Sequence, residues 1–97
     1  MREFLRGAVQ LHVLHHAAQG EIDGAWMSQE LDRHGYRISP GTLYPTLHRM
    51  EAEGLLASRG DVVDGRHRRR YRATRAGRRV LKETRRALRE LAGEVLE

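Results

Sequence analysis

Ninety-seven residues suffice for one small core and are too few for a second, so a pocket for a large substrate would have to be shared between chains. There is no cysteine, which removes disulfides, thiolate chemistry and Cys-based zinc sites, and no apolar run approaches the ~18 residues of a membrane span, so a cytoplasmic chain without membrane contact is expected. The net charge of +5 is unevenly placed: residues 1–64 hold 6 basic and 9 acidic side chains, residues 65–79 hold 8 arginines and no acid, and residues 80–97 balance 4 against 4, the footprint of a nucleic-acid contact.

In the first stretch Leu5, Ala8, Val9, Leu11, Val13, Leu14, Ala17 and Ala18 cover more than half of a helix surface. Such a helix contacts its own domain and something further, and Gly20 ends it. His12, His15 and His16 lie on it at helical spacing. His12 and His16 could share a metal ion, but no carboxylate or thiol is spaced to complete a site, so they are expected to be polar edge residues and no metal or cofactor is expected. A short second helix follows, capped by Asp23, with Ala25, Met27 and Leu31 inward, Trp26 in the partly buried core, and Gly35 as its stop.

After an extended Tyr36-Arg37-Ile38, a third helix is expected over about residues 39–54. Ser39 is a good N-cap, and Pro40 at the first helical position pre-sets φ where no backbone donor is needed. At 100° per residue Leu43, Leu47, Met50 and Gly54 form the inward stripe, while Gly41, Pro45, His48 and Arg49 face out. A proline inside a helix costs about 3 kcal/mol. Gly41, four residues before Pro45, has no Cβ and eases the strain. A Gly and a Pro where an exposed helix would carry Glu or Lys indicate a surface that approaches something closely, such as phosphate and base edges. Two helices joined by a tight Gly-containing turn are helix-turn-helix grammar. The run Ser39-Pro40-Gly41-Thr42-Leu43-Tyr44-Pro45, followed by Leu47, Met50-Glu51 and Glu53-Gly54-Leu55, closely resembles the recognition-helix motif of the PadR transcriptional regulators.

The period then changes to two. Leu55 to Arg59 and Arg66 to Ala73 read as strands around a turn at residues 60–65, a wing spanning about 55–73. Arg66, Arg68, Arg70 and Arg72 share one face of the second strand, which is expected to meet solvent or phosphate; His67, Arg69, Tyr71 and Ala73 share the other. The resemblance continues through Gly65-Arg66-His67-Arg68-Arg69-Arg70-Tyr71, Thr74 and Gly77. His67 and Arg70 replace the Pro and Tyr usual in that family, which makes the wing tip looser and more basic.

Thr74 caps a last helix, in which Leu81, Thr84, Leu88, Leu91 and Val95 recur at steps of 3 and 4, a heptad seam or equally the inward row of a helix packed on its own domain. The fold class expected is mainly α with a small β-hairpin: a winged helix-turn-helix over residues 1–75 and a C-terminal dimerisation helix over 76–97. The resemblance implies a regulator, in the repressor role, that binds double-stranded DNA at a palindromic operator as a homodimer. It places Thr42, Tyr44, His48 and Arg49 near bases or flanking phosphates, Ser39 and Gly41 as backbone donors to phosphate, and Pro45 at the close approach. Arg66, Arg68 and Arg70 would hold the wing on the backbone. Leu81, Leu88, Leu91 and Val95 would form the dimer seam, with room for a small-molecule effector at the interface. The alternatives are a metal-responsive regulator using the first-helix histidines and a winged helix serving only protein interaction. No enzyme is expected, since there is no Gly-rich phosphate loop and no nucleophile motif.

Overall fold

Helix α1 (Arg2–Gln19) buries Val9, Val13, Leu14 and Ala17 and leaves Phe4 and Leu5 exposed in the computed structural model, which covers residues 1–97. Two residues, Ile22–Asp23, then form strand β1. Helix α2 (Gly24–Arg33) is capped as expected, the Trp26 amide donating to Asp23 Oδ1 at 2.7 Å, and closes at Gly35, whose φ is +87°. Met27 and Leu31 are buried, but Ala25 is exposed, contrary to expectation. Two residues before Met27, it stands about 200° away around the helix. Trp26 is half exposed rather than core, its ring edge-on to His16 at 5.1 Å.

Helix α3 (Pro40–Ala52) buries Leu43, Leu47 and Met50 with Pro45 inside it. Ser39 takes the N-cap position without its side chain capping the backbone; its hydroxyl instead donates to Thr42 Oγ1 at 3.3 Å. The C-terminus is a Schellman turn: Gly54 has φ +79°, its amide donates to the Glu51 carbonyl, and the Leu55 amide donates to the Met50 carbonyl, both at 2.9 Å.

The wing consists of β2 (Leu56–Val63) and β3 (Arg66–Ala73), paired antiparallel from Leu56↔Ala73 to Val63↔Arg66. The turn is therefore two residues, Asp64 and Gly65 at φ +52° and +75°, and not the six expected. Asp-Gly alone satisfies a turn with two left-handed residues, so Asp61-Val62-Val63 remain free to pair. The expected hairpin is also widened into a three-stranded sheet of order β1-β3-β2, in which Ile22 faces Tyr71 and Asp23 faces Arg70.

Helix α4 (Arg75–Val95) starts at Thr74, whose hydroxyl oxygen accepts from the Gly77 amide at 3.0 Å. Gly77 is buried against the Leu55 carbonyl, where any Cβ would overlap backbone. One apolar core joins α1, all three strands and the inward sides of α2 and α3. Leu81 belongs to that core at 4 % exposure, so it is not available as a dimer-seam residue; the free apolar row on α4 begins at Leu88. Leu88, Leu91 and Val95 are 46, 47 and 64 % exposed.

Candidate nucleic-acid interface

The outward side of α3 presents Pro40, Gly41, Thr42, Tyr44, Pro45 and His48, all exposed. Ser39 is exposed at its start. Small residues dominate its N-terminal half, so the backbone itself lies near the surface. Tyr44 does not swing free. Its ring lies over Gly24 at the start of α2, where a Cβ would collide with the aromatic carbons and hydroxyl. Gly24 is thus buried because it seats Tyr44, a packing relation invisible in either local motif.

Arg49, expected near bases or flanking phosphates, is not free. Its Nη1 lies 3.4 Å from Gln10 Oε1 on α1 and 3.5 Å from Glu53 Oε1, and the side chain is half buried. Its place on the helix is lateral, beside the α1 contact. Glu51, two residues on, accepts from Ser58 Oγ at 2.7 Å and ties the end of α3 to β2.

The four-arginine face of β3 is only partly free. Arg68 and Arg70 are both half buried. Arg70 Nε donates to Asp61 Oδ2 at 2.8 Å, and Arg68 Nη1 lies 3.6 Å from Asp23 Oδ2, while its own Nε is buried without a partner. Beside them Arg59 makes a bidentate pair with Glu21 at 2.7 and 2.8 Å. The hydrogen bond from Arg70, with one from the Val62 amide, holds the Asp61 carboxyl below its usual range; the Arg59 hydrogen bond does the same for Glu21. Carboxylates from β1, β2 and the α1–β1 link therefore neutralise the middle of this face. The expectation that Arg68 and Arg70 are solvent- or phosphate-facing is corrected accordingly: they brace the sheet, and Arg68 ties the wing to the residue that caps α2.

Arg66 and Arg72 on that face are exposed and form no ion pair. On the opposite face, Arg69 is exposed and donates one hydrogen bond, to Ser58 Oγ at 3.3 Å, the hydroxyl that in turn donates to Glu51. The alternation groups Arg69 with the core-facing Tyr71 and so hides it; followed outward beyond the end of the core, the same alternation places it in solvent. Arg66, His67 and Arg69 meet Tyr44 and Gly24 around a concavity of about 320 Å³ between the wing and the recognition helix.

A second concave surface lies between α1 and α4, an apolar groove of about 640 Å³ lined by Phe4, Leu11, Leu88 and Leu91, with His12, His15, Tyr36 and Arg85 at its polar edge.

The model of the PadR-like family of transcriptional regulators matches residues 13–83. The chain belongs to this family. It is similar to the transcriptional regulator Rv3488 of Mycobacterium tuberculosis (strain ATCC 25618 / H37Rv), 72 % identical over 96 residues that cover 99 % of this chain and 90 % of the relative. Among solved structures, a PadR family transcriptional regulator from Eggerthella lenta is 36 % identical with a TM-score of 0.81, covering 98 % of this chain and 87 % of that one. A PadR-like transcriptional regulator from Bacillus cereus is 28 % identical with a TM-score of 0.85, covering 96 % and 92 %. The winged helix-turn-helix of this PadR-like chain thus has the fold of its family, and the matched span takes in the recognition helix, the whole wing and the start of α4. No helix is long and apolar enough to cross a membrane.

Proposed function

We propose that this chain is a repressor that binds a palindromic operator in double-stranded DNA as a homodimer, α3 entering the major groove and the wing lying on the adjacent backbone. The observation that carries the reading is the pairing of an exposed, small-residue recognition-helix face with unneutralised arginines beside it. Thr42 and His48 read base edges; Tyr44, held by Gly24, and the backbone donors near Ser39 and Gly41 meet phosphates, while Pro45 keeps the approach close. Arg66 and Arg69 hold the wing on the backbone. Arg68, Arg70 and Arg49 act from behind, fixing the wing and the helix.

Dimerisation is supported by the groove between α1 and α4 and by the exposed row Leu88, Leu91 and Val95, a surface that a second copy would cover. The same groove offers space for a small apolar effector. Two modules on two half-sites raise affinity by about 10²–10⁴ without new contacts. The test is selection of bound fragments from random DNA together with sedimentation of the protein alone and on the selected site. A two-fold symmetric consensus bound by a dimer is expected. A monomer on an asymmetric site, or no enrichment, overturns the proposal.

A further inference from the structure

Where α1 passes α2, two imidazoles meet a single carboxylate and a third stands beside them. His16 Nε2 lies 3.3 Å and His34 Nε2 3.1 Å from the same atom, Glu30 Oε2. Arg33 already grips this carboxylate through Nη2 at 2.8 Å and Nε at 3.1 Å. The His12 ring is 5.0 Å from that of His34 and 6.3 Å from that of His16, and it packs edge-on to Tyr36 at 5.1 Å. His15 stands 4.9 Å from His16, and its Nδ1 faces Arg85 Nη2 of α4 at 2.9 Å. The side chains of His16 and Glu30 are 15 and 11 % exposed, so the contact is shielded where it meets α1 and open toward His34 and Arg33.

With the imidazoles neutral, Glu30 and Arg33 offset each other and the group already carries one positive charge in excess. Glu30 is its one carboxylate and Arg33 its counter-ion; Arg85 adds a further cation from the α4 side. The first proton taken up strengthens one imidazole contact to Glu30. A further proton finds no free anion, since Arg33 already holds Glu30, and meets the charge of its neighbour on α1 and of Arg33 on α2. We propose that the cluster is a proton-operated joint: acidification charges His12 and His16 on α1 beside Arg33 of α2 and loosens α2 from α1. Because α2 packs on α3 and seats Tyr44 on Gly24, loosening it releases the recognition helix from its set orientation. This coupling rests on the DNA-binding reading above; the joint itself does not.

The sign of the effect follows from His12 and His16. Desolvation is the largest cause holding both below the ordinary imidazole range; neighbouring histidines push the same way, and Glu30 opposes them. Both groups therefore take up protons more readily in the unfolded chain. Their stabilisation is complete above the unfolded value of 6.5 and disappears as pH falls from there toward their lower folded values.

The experiment is thermal melting of the full chain in the presence of EDTA between about pH 8 and about pH 5, for wild type and for His12→Gln with His16→Gln. Alongside it, NMR titration follows the imidazole nitrogens of the wild type. The wild-type melting temperature should fall by on the order of 5–10 °C more than that of the double variant across this range. His12 and His16 should titrate below 6.5. Equal losses in both proteins, or titration of His12 and His16 at the ordinary value, overturn the joint. Should the double variant not fold, the wild-type titration and the single His16→Gln variant decide the matter by the same criteria. In the DNA arm, wild-type affinity for the selected site should drop about tenfold or more over the window, and the double variant should hold its affinity. A wild-type affinity that rises on acidification overturns the coupling. Absence of specific binding at every pH counts against the proposed function, while melting and titration still decide the joint.

Discussion

The division of the wing into free and neutralised arginines can be measured directly. Consider two double variants, Arg66→Ala with Arg69→Ala and Arg68→Ala with Arg70→Ala. They remove the same charge from the same strand, so net charge alone predicts equal effects. The structure predicts otherwise: Arg66 and Arg69 form no ion pair, whereas Arg68 faces Asp23 at 3.6 Å and Arg70 faces Asp61 at 2.8 Å. Removing one arginine from one phosphate flattens the slope of log affinity against log salt by about 0.9, so the first variant should show a slope shallower by about 1.8 per protomer and about twice that as a dimer on a palindrome. Between about 50 and about 200 mM salt, a slope change of about 1.8 corresponds to a difference of about twelvefold in how steeply affinity falls. The second variant should keep a slope close to wild type. It should instead be less stable, because Asp23 and Asp61 lose their arginines and the wing loses its side-chain tie to the residue that caps α2. Fluorescence anisotropy on the selected operator across a salt series, with a thermal melt of each protein, supplies both quantities. Equal slope changes in the two variants would refute the argument, as would an unaltered slope in the first.

Other outcomes follow from single contacts. Gly24→Ala should displace Tyr44 and cost about 1–3 kcal/mol, measured by urea unfolding, with weaker operator binding as its companion; wild-type stability in this variant would mean that Tyr44 has another resting place. Leu88→Glu with Leu91→Glu should give a folded monomer by sedimentation and circular dichroism that keeps non-specific DNA binding. Leu81→Ala should instead cost about 2–5 kcal/mol of stability, a contrast that separates seam from core. Acid unfolding should show a second, lower window. The Arg33 hydrogen bond holds Glu30 down to about 2, so its contribution is present above the ordinary value of 4.5 and disappears as pH falls from there toward 2. Glu30→Gln should remove that low-pH component from a melting-temperature profile, and an unchanged profile would contradict the assignment.

Much of this fold depends on relations within about four residues, and those are readable in order along the chain. Asp23 and Thr74 cap because a side-chain oxygen reaches an amide three residues on; α3 stops where the Gly54 amide bonds Glu51 and the Leu55 amide bonds Met50; Leu43, Leu47 and Met50 face inward by angular spacing alone. The recognition-helix face is legible for the same reason. Strand β1 is not, since two residues carry no period and Ile22–Asp23 become a strand only because β3, nearly fifty residues away, offers an edge to pair with. The same limit explains Leu81, whose heptad spacing matches that of Leu88 but which α1 buries. It also explains the arginines of β3. A charge count along the chain finds the eight cations between residues 65 and 79, but electrostatic attraction acts through space. Only the approach of Asp23 and Asp61, set by the sheet register, decides that Arg68 and Arg70 brace the wing while Arg66 and Arg69 stay free. The histidine cluster is the extreme case: α1 supplies His12 and His16, α2 supplies Glu30, the turn after it supplies His34, and their shared chemistry exists only once packing has brought the two helices together.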